Sequence, residues 1–134
     1  MRYILTLVAC ISLLASGCKG NSEELKKLDK DIMAVHDAAM KELADMNRTS
    51  RELKQFMTVA LMTPEQSAKF TEVLGNMEKA EADMMAWMRD YKFPEGVPEA
   101  EAMAYLKDQQ AKINKNKDDI HAATEAGKQL LPKQ

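Results

Sequence analysis

The chain has 134 residues, 30% of them charged and 46% hydrophobic, with five Gly, four Pro, one Trp, three Tyr and three Phe. This length suits one small domain, and a formal charge of -2 supplies no basic field for a nucleic-acid backbone. Eleven Met and the scarcity of Gly, Pro and aromatic residues argue for helices and against β-sandwiches, barrels and Gly-rich nucleotide folds, because unbranched side chains lose little rotamer freedom in a helix.

The N-terminus carries an address. Arg2 precedes an apolar run, Tyr3 to Leu14, broken only by Thr6 and Ser12. About a dozen apolar residues is the length of a secretory signal and too short for a membrane span. The run ends in Leu14-Ala15-Ser16-Gly17-Cys18, which resembles a bacterial lipobox: small residues before a Cys that is acylated on sulfur, becomes the new N-terminus and is acylated again. Ala15 stands where that motif usually has Leu. Leu7-Val8-Ala9-Cys10 fits the same pattern, but only Tyr3 to Thr6 precede it as an apolar segment, so Cys10 belongs to the signal.

The expected organisation is a signal peptide over 1–17, a lipidated Cys18 with a tether to residue 21, and a helical domain over 22–134. Such a mature chain keeps no thiol for a disulfide, a zinc site or a nucleophile. Its charge becomes -3, from 18 basic and 21 acidic residues once Arg2 is lost. Acyl chains, at about 0.8 kcal/mol per buried methylene, hold it on a membrane without a spanning helix. Lys19 follows the Cys where an Asp would signal retention at the inner membrane, so the sorting rule points to the outer membrane of the cell envelope.

Ser22 with Glu23 and Glu24 has the form of an N-cap with acids in the first turn. From there Leu25, Leu28, Ile32, Val35, Ala39, Leu43, Met46, Leu53 and Met57 recur mostly at three and four residue steps, one apolar stripe. Asn47 to Ser50 is its weakest stretch. Thr63-Pro64-Glu65-Gln66 combines an N-cap, a first-turn Pro and a capping box, and so starts a second helix. Its stripe is Phe70, Val73, Met77, Ala80, Met84, Trp87 and Tyr91, at the heptad spacing of shallow-angle packing. Lys92 to Pro98 makes the second connection, and a third helix with Met103, Leu106, Ile113, Ile120 and Leu130 on its apolar side stops before Pro132.

These helices, about 38, 27 and 33 residues long, span about 57, 40 and 50 Å. Short connections make neighbours antiparallel. The expectation is an all-α, elongated up-down-up three-helix bundle, with four helices as the alternative if Asn114 to Asp119 breaks the last one.

The residues with chemical character are soft. A hairpin turning near Met62 sets positions whose numbers sum to about 124 at one level, putting His36 opposite Met88 and Met40 opposite Met84. The second turn brings Met103 beside Met88, and Met33, Met85 and Trp87 flank the same level. Neutral imidazole with thioethers suits Cu(I) rather than zinc, calcium or magnesium and needs no thiolate, and an indole face can lie against a soft cation. The metal reading takes His36, Met40, Met84 and Met88 as ligands, with Met33, Met85, Trp87 and Met103 as a supporting shell. Against it stands packing, since Met is a common gap-filler in helical cores.

Other chemistry is weaker. His36 and Asp37 point about 100° apart on a helix, which argues against a direct dyad. A haem held by His121 and Met103 fails on distance, the two lying about 27 Å apart along one helix, with His121 level with Leu53 and Phe70. No catalytic constellation emerges, and no cofactor is expected on the packing reading.

His36-Asp37 with Met40, Met84-Met85-Ala86-Trp87-Met88 and Tyr105-Leu106 together resemble a group of small bacterial lipoproteins with helical, coiled-coil-like mature domains. The resemblance spans most of the mature chain and implies a lipid-anchored helical module, without an activity. The expected function is therefore a non-enzymatic envelope lipoprotein that binds an envelope protein partner, with Cu(I) binding as the alternative.

Overall fold

The computed structural model describes residues 18–132, with side chains from residue 22 onward; the expected signal peptide and the Cys18 side chain lie outside the described residues. Three helices make up the fold: α1 over Cys18–Val59, α2 over Pro64–Asp90 and α3 over Glu99–Leu130. They pack as an all-α three-helix bundle, up-down-up. None of the described helices is long and apolar enough to cross a membrane.

The start of α2 is set locally. The Gln66 N–H donates to Thr63 Oγ1 at 3.2 Å and the Thr63 N–H donates to Gln66 Oε1 at 2.9 Å, so two otherwise orphaned backbone donors are satisfied reciprocally. At the other end, Tyr91 leaves the helix and its N–H donates to the Trp87 carbonyl at 2.8 Å. Gly96, at φ 71°, takes the left-handed conformation that lets the connection turn back. Pro98 then caps α3 without a side-chain hydrogen bond.

α1 begins at Cys18, ahead of the Ser22 start that cap chemistry suggests. Ser22 lies within the helix. Neither weak stretch breaks a helix: α1 runs unbroken through Asn47 to Ser50, and α3 through Asn114 to Asp119. Burial of Thr49 in the core accounts for the first case; its hydroxyl is satisfied by the Asp45 carbonyl one turn back at 3.1 Å. The core runs the length of the bundle, through Ile32, Leu43, Met46 and Leu53 of α1, Phe70, Met77, Met84 and Trp87 of α2, and Leu106, Ile113 and Ile120 of α3.

α3 is the shared neighbour. Its core face includes the small residues Ala102, Ala123, Thr124 and Gly127, which allow close approach of helix backbones. A Cβ on Gly127 would collide with Met77 Cε and stand 2.9 Å from Thr49 Cγ2 and 3.1 Å from Leu53 Cδ1. All three helices meet at that glycine. Beside it, Lys128 Nζ lies 2.8 Å from Asp45 Oδ2. Lys128 and then Arg48 hydrogen-bond the Asp45 carboxylate and hold it below the ordinary aspartate range. The pair is exposed, so it sets register more than it stabilises.

Candidate functional site

The seam between α1 and α2 changes character along its length. Met33, Met40, Asn47 and Lys54 recur every seven residues on α1 and therefore share one edge. On the facing edge of α2, Lys54 reaches Glu78 at 3.4 Å and Asn47 Nδ2 donates to Glu81 at 3.1 Å. One and two turns further along that edge come Met85 and Met88. The seam is thus ionic and amide-bonded at one end and thioether-rimmed at the other; the change falls between Met40 and Asn47, and His36 lies within the thioether half.

His36 is nearly buried, its side chain 13% exposed. Its ring stacks on Trp87, with centroids 5.7 Å apart and planes 27° apart. Trp87 stacks in turn on Tyr91 at 4.7 Å, and Tyr91 on Tyr105 at 6.4 Å, so four rings form a column up the end of the bundle. The column is fixed by polar contacts at its upper end: Tyr91 Oη donates to Asp29 Oδ1 at 2.5 Å, and the Lys92 N–H donates to Tyr105 Oη at 3.2 Å.

The structure corrects the dyad expectation. His36 Nδ1 lies 3.1 Å from Asp37 Oδ1, although the two Cβ vectors diverge. The imidazole lies flat against Trp87, which turns Nδ1 outward to where an exposed Asp37 carboxylate, 74% accessible, can reach it. The geometry suits the Nδ1–H tautomer, with Nε2 left as an acceptor. Nε2 is buried and the protein offers it no hydrogen-bond partner. The same holds for Trp87 Nε1.

The expected ligands and shell residues divide accordingly. Met84 is fully buried and belongs to the core, while Met40 is half-buried against it. Met33, Met85 and Met88 are 37%, 41% and 41% exposed and rim the seam. His36 stacks on Trp87, the residue that precedes Met88. Met103 is not in this tier: the Lys92–Tyr105 and Asn116–Asp83 contacts fix a register that sets it against the connection after α2. The reason is the extended Tyr91 to Pro98 segment, which shifts the return of the chain. His121 likewise pairs with Glu42 at 3.2 Å, not at the level of Leu53 and Phe70.

The α2–α3 surface is charge-balanced. The α2–α3 trough, floored by Ala80, Ala123 and Ala126, is edged by Lys79–Asp83 and Lys115–Asp119 pairs, each at 2.5 Å. No group of three or more His, Cys, Asp and Glu that could hold a metal occurs among the described residues. Comparison with protein-family models, with curated proteins and with solved structures finds no match.

Burial, and then the hydrogen bond to Asp29, push the Tyr91 phenol well above the ordinary tyrosine value. A raised folded-state pKa means that the stabilisation is fully present below the unfolded value of about 10 and is lost as pH climbs past it. Alkaline difference absorbance of the folded protein is expected to show one tyrosine titrating late, and Tyr91→Phe to remove that step. A Tyr91 step at the ordinary value would contradict the contact.

Proposed function

We propose that this protein is a non-catalytic binding module held at the cell envelope by lipid on Cys18, with the thioether half of the α1–α2 seam as its working surface. The observation that carries the reading is the contrast along that seam. Lys54–Glu78 and Asn47–Glu81 are self-satisfied, whereas Met33, Met85 and Met88 leave apolar, polarizable surface open beside His36. Flexible thioethers adapt to a partner at small cost, which is why methionine is over-used at binding surfaces.

Lipidation rests on the sequence Leu14 to Cys18 and on the apolar segment before it, and the outer membrane on Lys19. The resemblance to small bacterial lipoproteins supports the same reading. With the chain anchored at its N-terminal end, α1 and α3 run away from the membrane and the aromatic column lies at the membrane-facing end.

Two measurements test these parts separately. Cys18→Ser is expected to abolish incorporation of labelled palmitate into the chain; undiminished labelling would refute the anchor. A photoreactive side chain placed at Met85, and in parallel at Lys115 in the charge-balanced trough, is expected to crosslink an envelope protein in cells only from position 85. Equal labelling from both positions, or none from 85, would remove the seam as the binding surface.

A further inference from the structure

We propose that the thioether end of the α1–α2 seam is a Cu(I) site, with His36 Nε2, Met40 and Met88 as ligands. The inference rests on the seam being the binding surface and names what it takes.

Asp37 accepts from His36 Nδ1 at 3.1 Å and so fixes the tautomer whose Nε2 carries a lone pair. This is the carboxylate–histidine pairing that orients metal-ligating imidazoles. The two ring nitrogens face opposite ways, so an outward Nδ1 sends Nε2 inward, where it is buried without a protein partner. A buried unmatched acceptor is costly and uncommon, and an electron-pair acceptor is what it lacks.

Its neighbourhood selects the acceptor. Met40 stands one turn from His36 on the same face, and Met88 follows Trp87, the residue on which His36 stacks. Met84 closes the floor from the core. A neutral nitrogen with thioethers, and no carboxylate aimed inward, favours a soft monovalent ion over Zn(II), Ca(II) or Mg(II). Trp87 offers a ring face against that ion. Met88, at 41% exposure, has the freedom to swing out and admit the metal, while His36 and Trp87 hold still. Asp37 is a positioning residue that acts through His36.

The test uses the full chain, purified from membranes in detergent and titrated anaerobically with Cu(I) against a chromophoric Cu(I) chelator, with Zn(II) in parallel. Trp87 is the chain's one tryptophan, so its fluorescence reports the site directly. The expected result is quenching that saturates at one Cu(I) per chain, with no competition from Zn(II). His36→Gln should weaken binding at least 100-fold. Because that change touches the core, two exposed variants carry the decision: Asp37→Asn is expected to weaken Cu(I) binding about 10–100-fold, and Met88→Leu about 10-fold, each with unchanged circular dichroism. Affinity unchanged in both, equal competition by Zn(II), or no quenching at all would overturn the site. A water bridging His36 Nε2 and Trp87 Nε1 is then the occupant. The crosslink from position 85 reports a protein partner whichever way the titration falls, so the two readings fail separately.

Discussion

Trp87→Ala is expected to destabilise the bundle by about 3–5 kcal/mol, the cost of deleting a buried indole. Trp87 is 7% exposed and lies between two rings, His36 at 5.7 Å and Tyr91 at 4.7 Å. Its removal therefore takes away a core side chain and a wall for each neighbour. Stacked pairs add about 0.5–1.5 kcal/mol each beyond area, which places the effect toward the upper part of the range. In urea, with a slope of about 1–3 kcal/mol/M for a small domain, the midpoint should fall by about 2 M, followed by far-ultraviolet circular dichroism because the fluorophore is gone. Trp87→Phe keeps a ring and should lose no more than about half as much. A midpoint shift below about 0.5 M for the alanine variant would show that the column is not part of the packed core.

The second large effect lies near the opposite end. Gly127→Val adds a branched side chain where even a Cβ would collide with Met77 Cε and crowd Thr49 Cγ2 at 2.9 Å. The terminal methyl of Met77 can swing aside. The Thr49 side chain is stiffer, because it is β-branched and its hydroxyl is tied to the Asp45 carbonyl. Overpacking of this kind costs about 1–3 kcal/mol, and the two valine methyls must also pass Leu53, so about 3 kcal/mol is expected. Gly127→Ala recovers up to about 1 kcal/mol of helix propensity and should be much milder. Urea midpoints of the two variants check the order; a valine variant as stable as the parent would mean that the helices separate freely there.

Gly127 also shows where sequence reasoning runs short. The stripes of α1 and α2 are made of large apolar residues at regular steps, and the residues so placed are the ones found buried, from Ile32 to Leu53 and from Phe70 to Trp87. α3 hides its packing face, because Ala102, Gln109, Ala123, Thr124 and Gly127 carry little or no hydrophobic signal. Their burial follows from the close approach of two other helices, a tertiary fact. Thr63 to Gln66 was legible because capping is local, whereas the register of α3 was not, since it depends on how far the Tyr91 to Pro98 segment travels before turning. The candidate site divides the same way. His36, Met40, Met84 and Met88 fall on helices whose mutual level a short hairpin fixes, and Met103 falls on the helix whose level it does not. The His36–Asp37 contact escaped because helical angles describe Cβ directions, and a flattened imidazole reaches sideways.

The unbroken path of α1 from Cys18 to His36 would gain a mechanical meaning under the lipid anchor proposed above. At 1.5 Å per residue, His36 stands about 27 Å along the axis from Cys18. No non-helical segment intervenes within that span, so under the proposed anchor the helix would act as a measuring rod, setting the height of the sulfur-rimmed face above the lipid headgroups. A docking molecule would then have to present its own contact at that altitude, and a few residues added to or removed from the rod would change both the height and, at about 100° per residue, the compass direction in which the face looks.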